Sequence, residues 1–128
     1  MKSFEWLHPI LTPHFKLDWL TKFKLKEVND FQNQHNVQQS MNQSMNYINE
    51  TMKNIMEMKA LVWGVEENES KKLIGIIEVN DLDTSSTCVK FVKFIGNKIS
   101  SKSQKAILDR ITPLLQQVGC KELAILSK

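Results

Sequence analysis

The chain has 128 residues, 41% of them hydrophobic and 24% charged, with a formal net charge of +3. That length suits one domain with its own core, needing no disulfide or metal to hold it together. The composition excludes a disordered chain, no apolar run approaches the about 20 residues of a membrane helix, and the charge is too small to mark a nucleic-acid binder.

Positions 1–20 lack a basic start followed by a long apolar stretch, so a cytoplasmic location is expected and Cys88 and Cys120 read as two small buried thiols. Residues 1–13, punctuated by Pro9 and Pro13, are expected to be irregular. Phe15, Leu17 and Trp19 alternate with polar residues and predict a strand. Leu25, Val28 and Phe31 recur at helical spacing and predict a short helix. The stretch from Asn29 to Asn54 is rich in Asn and Gln. From Ser40 onward it still reads as helix, because Ser40 and Gln43 form a capping box and Met41, Met45, Ile48, Met52, Ile55 and Met56 fall on one face. That face is expected to pack against a sheet and the Asn-rich side to meet water.

Leu61–Glu67 predicts a strand, Asn68–Ser70 a turn, and Leu73–Val79 a strand buried on both faces, together a hairpin. Asp81–Ser86 is a second polar turn. Val89, Phe91 and Phe94 predict a further strand that ends near Ile95 and Gly96. After a polar loop, Ile107, Ile111, Leu114, Leu115 and Val118 make the apolar stripe of a helix, with Ser101 and Gln104 as its capping box and Gly119 as its C-terminal cap. Pro113 is expected to kink it. Leu123 and Ile125 lie in a final strand, whose edge would be free to pair with a second copy of the chain. No repeat or linker divides the sequence, which reads as one mixed α/β domain.

Charge is unevenly placed. No acidic residue occurs between Asp83 and Asp109, where Lys90, Lys93, Lys98, Lys102 and Lys105 lie, so this stretch attracts anions. Arg110 is the lone arginine, which argues against bidentate reading of bases. His8, His14 and His35 match no zinc spacing, and no metal is expected.

The order strand, helix, helix, three strands, helix, strand resembles the GNAT acyltransferase superfamily, in particular its branch that modifies ribosomal-protein amino termini. The resemblance is carried by Leu61-Val62-Trp63-Gly64-Val65, a short turn, and Lys72-Leu73-Ile74-Gly75-Ile76-Ile77-Glu78-Val79-Asn80. The helix from Lys105 to Gly119, followed by Cys120-Lys121-Glu122-Leu123, is similar to the family's cofactor-side helix and next strand. The resemblance as a whole covers roughly residues 12–126. They imply a mostly antiparallel twisted sheet flanked by helices and the transfer of an acetyl group from acetyl-CoA to an amine of a small molecule or peptide. Two departures stand out. The family's Arg/Gln-x-x-Gly-x-Gly/Ala loop is replaced by Ile99-Ser100-Ser101-Lys102-Ser103-Gln104, which has no glycine. The family also continues with a further helix and two strands that this sequence lacks.

By this resemblance Phe94, Ile95, Gly96, Lys98, Ser100, Ser101, Lys102, Ser103 and Gln104 are the expected contacts of coenzyme A. Free amides at a helix start attract phosphate whatever the side chains, and serine hydroxyls and lysines add donors and charge. The alternative is that the serines only cap the helix. Glu78, late in the hairpin's second strand, is the candidate base, against a reading as a solvated strand-end glutamate. No proton donor is evident: Tyr47, the single tyrosine, is distant in sequence. Two functions therefore stand side by side, an acetyl-CoA-dependent N-acetyltransferase and a non-catalytic binding module of the same fold.

Overall fold

A computed structural model describes residues 9–35, 39–80, 82, 89–96, 99–117 and 122–125. The elements are β1 (Ile10–Leu11), β2 (Phe15–Asp18), a 3-10 turn (Leu20–Lys22), α1 (Leu25–His35), α2 (Met41–Met56), β3 (Leu61–Glu67), β4 (Leu73–Val79), β5 (Val89–Ile95), α3 (Ser101–Gln116) and β6 (Glu122–Ile125). They form one six-stranded sheet in sequential order. All pairings are antiparallel except the last, where β6 runs parallel to β5. Such a pair needs a crossover, and α3 supplies it.

β1 corrects the expectation for residues 9–13. Two residues between prolines carry no readable period, yet Ile10 and Leu11 pair with Leu17 and Lys16. Thr12 fixes the turn that returns the chain, its hydroxyl accepting from the Phe15 amide at 3.0 Å and donating to the Phe15 carbonyl at 3.1 Å. The polar turn expected over Asp81–Ser86, Cys88, Val118, Gly119 and Cys120 lie outside the described residues, apart from Leu82.

The two faces of the sheet carry separate cores. Trp63, Val65, Ile77, Val79, Val92 and Phe94 pack with the α3 stripe Ile107, Ile111 and Leu115, all buried. Trp19 stacks on Trp63 in this core, with ring centroids 6.0 Å apart. On the other face Val62, Leu73 and Ile76 meet Val28 and Phe31 of α1, Ile48 of α2 and Leu20. β4 is therefore buried on both faces, as its continuous apolar run requires. Between Val65 and Glu66 the β3–β4 register shifts, so that Gly75 pairs with Val65 and Leu73 with Glu66. Ile74 is the extra residue of this bulge.

α2 starts at the Ser40–Gln43 capping box read from sequence. Its buried face is different from the expected one. Ser44, Ile48, Thr51 and Ile55 point inward, whereas Met41, Met45 and Met56 are exposed and Met52 is half-buried. The reason is polar. The Ser44 hydroxyl donates to Gln32 at 2.5 Å and accepts from the Asn29 amide at 3.0 Å; Asn29 also donates to the Gln39 carbonyl at 2.9 Å. This buried network draws the small side chains of α2 against α1 and turns the methionines toward the flank, where the Met52 sulfur accepts from Thr21 at 3.9 Å.

α3 is capped by Ser100, one residue earlier than expected: its hydroxyl accepts from the Ser103 amide at 3.1 Å, while the Gln104 side chain donates to the Ile99 carbonyl at 3.1 Å. Pro113 is accommodated in the last turn, exposed to solvent, with the helix continuing to Gln116.

Candidate functional site

The expected cofactor contacts lie where β5 ends and α3 begins. β5 and β6 pair from Val89 with Glu122 to Val92 with Ile125, and β5 continues to Ile95 beyond the last described pair. Phe94 turns into the α3-side core, and half-buried Ile95 faces the core beneath α1 and α2. Gly96 has φ +115°, a conformation that favours glycine, and a Cβ there would lie 2.8 Å from the Ile74 carbonyl and 3.3 Å from the Phe31 ring. Its missing side chain thus serves close packing on β4.

Ile99 fixes the loop. It is buried at 4% exposure, and its Cδ1 fills the space that a side chain at Gly75 would occupy. Beyond it, Ser100, Ser101 and Lys102 are exposed and Ser103 and Gln104 half-buried. The Ser103 amide is taken by Ser100 and the Gln104 amide by the Ser100 carbonyl at 2.8 Å. The amides of Ser101 and Lys102 have no acceptor among the described residues. Lys98 lies outside the described residues. The sequence thus places together, at one helix start, most of the residues expected there.

Whether coenzyme A fits is a question of donors. A diphosphate requires free N–H groups, positive charge and room for close approach. The first turn of α3 offers two free amides, the exposed Ser101 hydroxyl and the Lys102 ammonium, at the positive end of a 16-residue helix. These groups fit a diphosphate, through amides and charge and without the family's glycine-lined loop.

Glu78 lies on β4 opposite Lys93 of β5, and on the side of the sheet that α2 covers. The structure gives it a partner that sequence reading missed: the Tyr47 hydroxyl donates to Glu78 Oε2 at 2.7 Å. Burial, and then the charge and hydrogen bond of Glu78, raise the Tyr47 phenol well above the ordinary tyrosine range. Tyr47 therefore keeps its proton and holds Glu78 as a hydrogen-bond donor, and it is a poor source of a proton for a leaving group. Among the described residues no three of His, Cys, Asp or Glu converge as a metal site would need.

Solved structures share this fold. A Vibrio cholerae protein assigned as a ribosomal-protein-serine acetyltransferase superposes with a TM-score of 0.71 at 17% identity, over 99% of this chain and 76% of its own. The fold is that of the GNAT acetyltransferases. Two further GNAT structures agree. The microcin C7 self-immunity acetyltransferase MccE, in complex with acetyl-CoA and AMP, matches with a TM-score of 0.61 at 16% identity, over 84% of this chain and 64% of its own. Glucosamine-6-phosphate N-acetyltransferase from Arabidopsis thaliana matches with 0.55 at 13% identity, over 89% and 82%. No family model and no curated protein sequence matches the chain. The GNAT resemblance and the expected mostly antiparallel sheet flanked by helices are thus borne out at the level of fold. No helix among the described residues is long and apolar enough to cross a membrane.

Proposed function

We propose that this chain is an acetyl-CoA-dependent N-acetyltransferase. The observation that carries this reading is the pair of amides, Ser101 and Lys102, at the start of α3 that have no acceptor among the described residues, close to the end of β5. Those amides and the Lys102 ammonium would hold the coenzyme A diphosphate. Acetyl-CoA supplies a thioester carbonyl, on which an amine forms a C–N bond as the C–S bond breaks and its electron pair leaves on sulfur. Glu78 takes the proton that the attacking amine loses, and Tyr47, by donating to Oε2, holds the carboxylate in one orientation. The acceptor is a primary amine of a small molecule or peptide, reaching the sheet from the α2 side.

A second reading, a non-catalytic module of the same fold, is favoured by one observation. Glu67 and Glu69 line a cavity of about 500 Å³ that also reaches Ser103, a setting that repels phosphate. Release of free coenzyme A thiol, followed with a thiol reagent across a panel of amines, separates the two. The proposed enzyme releases thiol only with an amine present, and Glu78→Gln slows release roughly 100-fold or more without weakening acetyl-CoA binding. Thiol release that Glu78→Gln leaves unchanged removes Glu78 from the mechanism, and no release with any amine supports the second reading.

A further inference from the structure

A cleft of about 680 Å³ opens at the start of α1, on the face of the sheet opposite α3. Five lysines line it from three separate segments: Lys22 in the 3-10 turn, Lys24 and Lys26 at the start of α1, and Lys71 and Lys72 after the β3–β4 turn. Three carboxylates, Glu27, Asp30 and Glu66, share the cleft with the five lysines, and the first two have partners of their own. Glu27 accepts from the Leu73 amide at 3.0 Å, and Asp30 pairs with Lys26 at 2.9 Å. Among the described residues Lys22, Lys24, Lys71 and Lys72 have no carboxylate within ion-pair distance, so the cleft keeps an excess of positive charge. Lys71 is held with φ +61°, a left-handed conformation rare for a lysine, closed by its amide on the Glu67 carbonyl at 2.8 Å. That turn delivers two adjacent lysines to the cleft.

Like charges gathered around one concavity repel each other until an anion enters. Lysines are compact point charges on flexible stems, which suits tetrahedral phosphate better than the planar, two-pronged pairing that a carboxylate makes with arginine. Phe23 and Leu73 provide an apolar wall beside them. We propose that this cleft is a second anion site that binds a small molecule carrying two or more phosphate charges, with Lys22, Lys24, Lys71 and Lys72 as its contacts. The site is separate from the start of α3, because its apolar lining, Phe23, Phe31 and Leu73, belongs to the core beneath α1 and α2.

The test uses inorganic tripolyphosphate as probe, titrated into the full ¹⁵N-labelled chain without coenzyme A. Saturable shifts are expected at the amides of Leu25, Lys26, Lys72 and Leu73. Lys24→Gln with Lys72→Gln weakens binding roughly tenfold or more, as loss of charge-assisted contacts requires. Lys24→Arg with Lys72→Arg retains most of it, and Lys53→Gln on α2 leaves it unchanged. No saturation at millimolar probe overturns the proposal. So do saturable shifts confined to the start of α3 with the cleft amides unmoved. The cleft variants are expected to leave acetyl-CoA binding intact, so failure of this proposal and failure of the α3 assignment are read separately.

Discussion

A methyl group at Gly75 tests how the loop before α3 is anchored. In Gly75→Ala the added carbon would lie 2.5 Å from Ile99 Cδ1 and 3.1 Å from the Ile95 carbonyl oxygen. The carbonyl belongs to the β5 backbone and cannot swing aside, so Ile99 must leave its seat. Overpacking of this kind costs about 1–3 kcal/mol. Ile99→Ala alone removes a side chain that is 4% exposed and should cost about 2–5 kcal/mol. In the double variant the methyl on residue 75 enters the space that Ile99 vacates, so the combined cost should fall below the sum by about 1 kcal/mol or more. Urea unfolding followed by tryptophan fluorescence measures all three, with Trp19 and Trp63 stacked in the affected core as reporters. Additivity of the two single costs to within about 0.5 kcal/mol would refute the claim that Ile99 is seated on Gly75.

Three further outcomes are expected. Tyr47 is the single tyrosine, so absorbance at the phenolate band reports it alone. Its folded-state pKa is raised, so its stabilisation is complete below the unfolded value of about 10 and is lost as pH rises above it. The band should stay flat through pH 10 in the native chain and rise only with alkaline unfolding; Glu78→Gln lowers the midpoint only in part, since burial is the larger cause, and a native midpoint near 10 would contradict the Tyr47–Glu78 contact. Ser100→Ala should cost about 1 kcal/mol in urea unfolding by freeing the Ser103 amide, whereas Ser101→Ala should cost little. Ser44→Ala takes from Gln32 its buried donor and from Asn29 one of two acceptors and should cost about 1–3 kcal/mol, whereas Met45→Ala, on the exposed flank of the same helix, should change stability by less than about 0.5 kcal/mol.

What was legible in the sequence follows from the range over which each signal acts. The hairpin was readable because a continuous apolar run such as Leu73–Val79 needs two covering layers. The Ser40–Gln43 cap was readable because all its parts lie within four residues. At α3 the same local rule slipped by one, since Ser100 and Ser101 are chemically alike and the choice falls to Ile99, whose burial against Gly75 sets where the helix starts. The methionine face of α2 misled because hydropathy alone ranks Met above Ser and Thr. Ser44 turns inward for partners on α1, Asn29 and Gln32, which no periodicity within α2 reveals. Tyr47 and Glu78 are joined only by the packing of α2 on the sheet. Their signals were a glutamate in an otherwise apolar strand and an aromatic residue at the edge of a helical face, each weak by itself. The glycine-free loop is visible in the sequence, and the structure adds that the Ser101 and Lys102 amides have no acceptor among the described residues.

Titration of acetyl-CoA into the ¹⁵N-labelled chain addresses the proposed chemistry at its origin. Saturable displacement of the Ser101 and Lys102 amide resonances, together with those of Ile95 and Gly96, is the expected result, and Lys102→Gln should weaken it. Spectra unmoved at millimolar acetyl-CoA, or shifts confined to residues away from the start of α3, would contradict the assignment of this helix end as the cofactor's anchor.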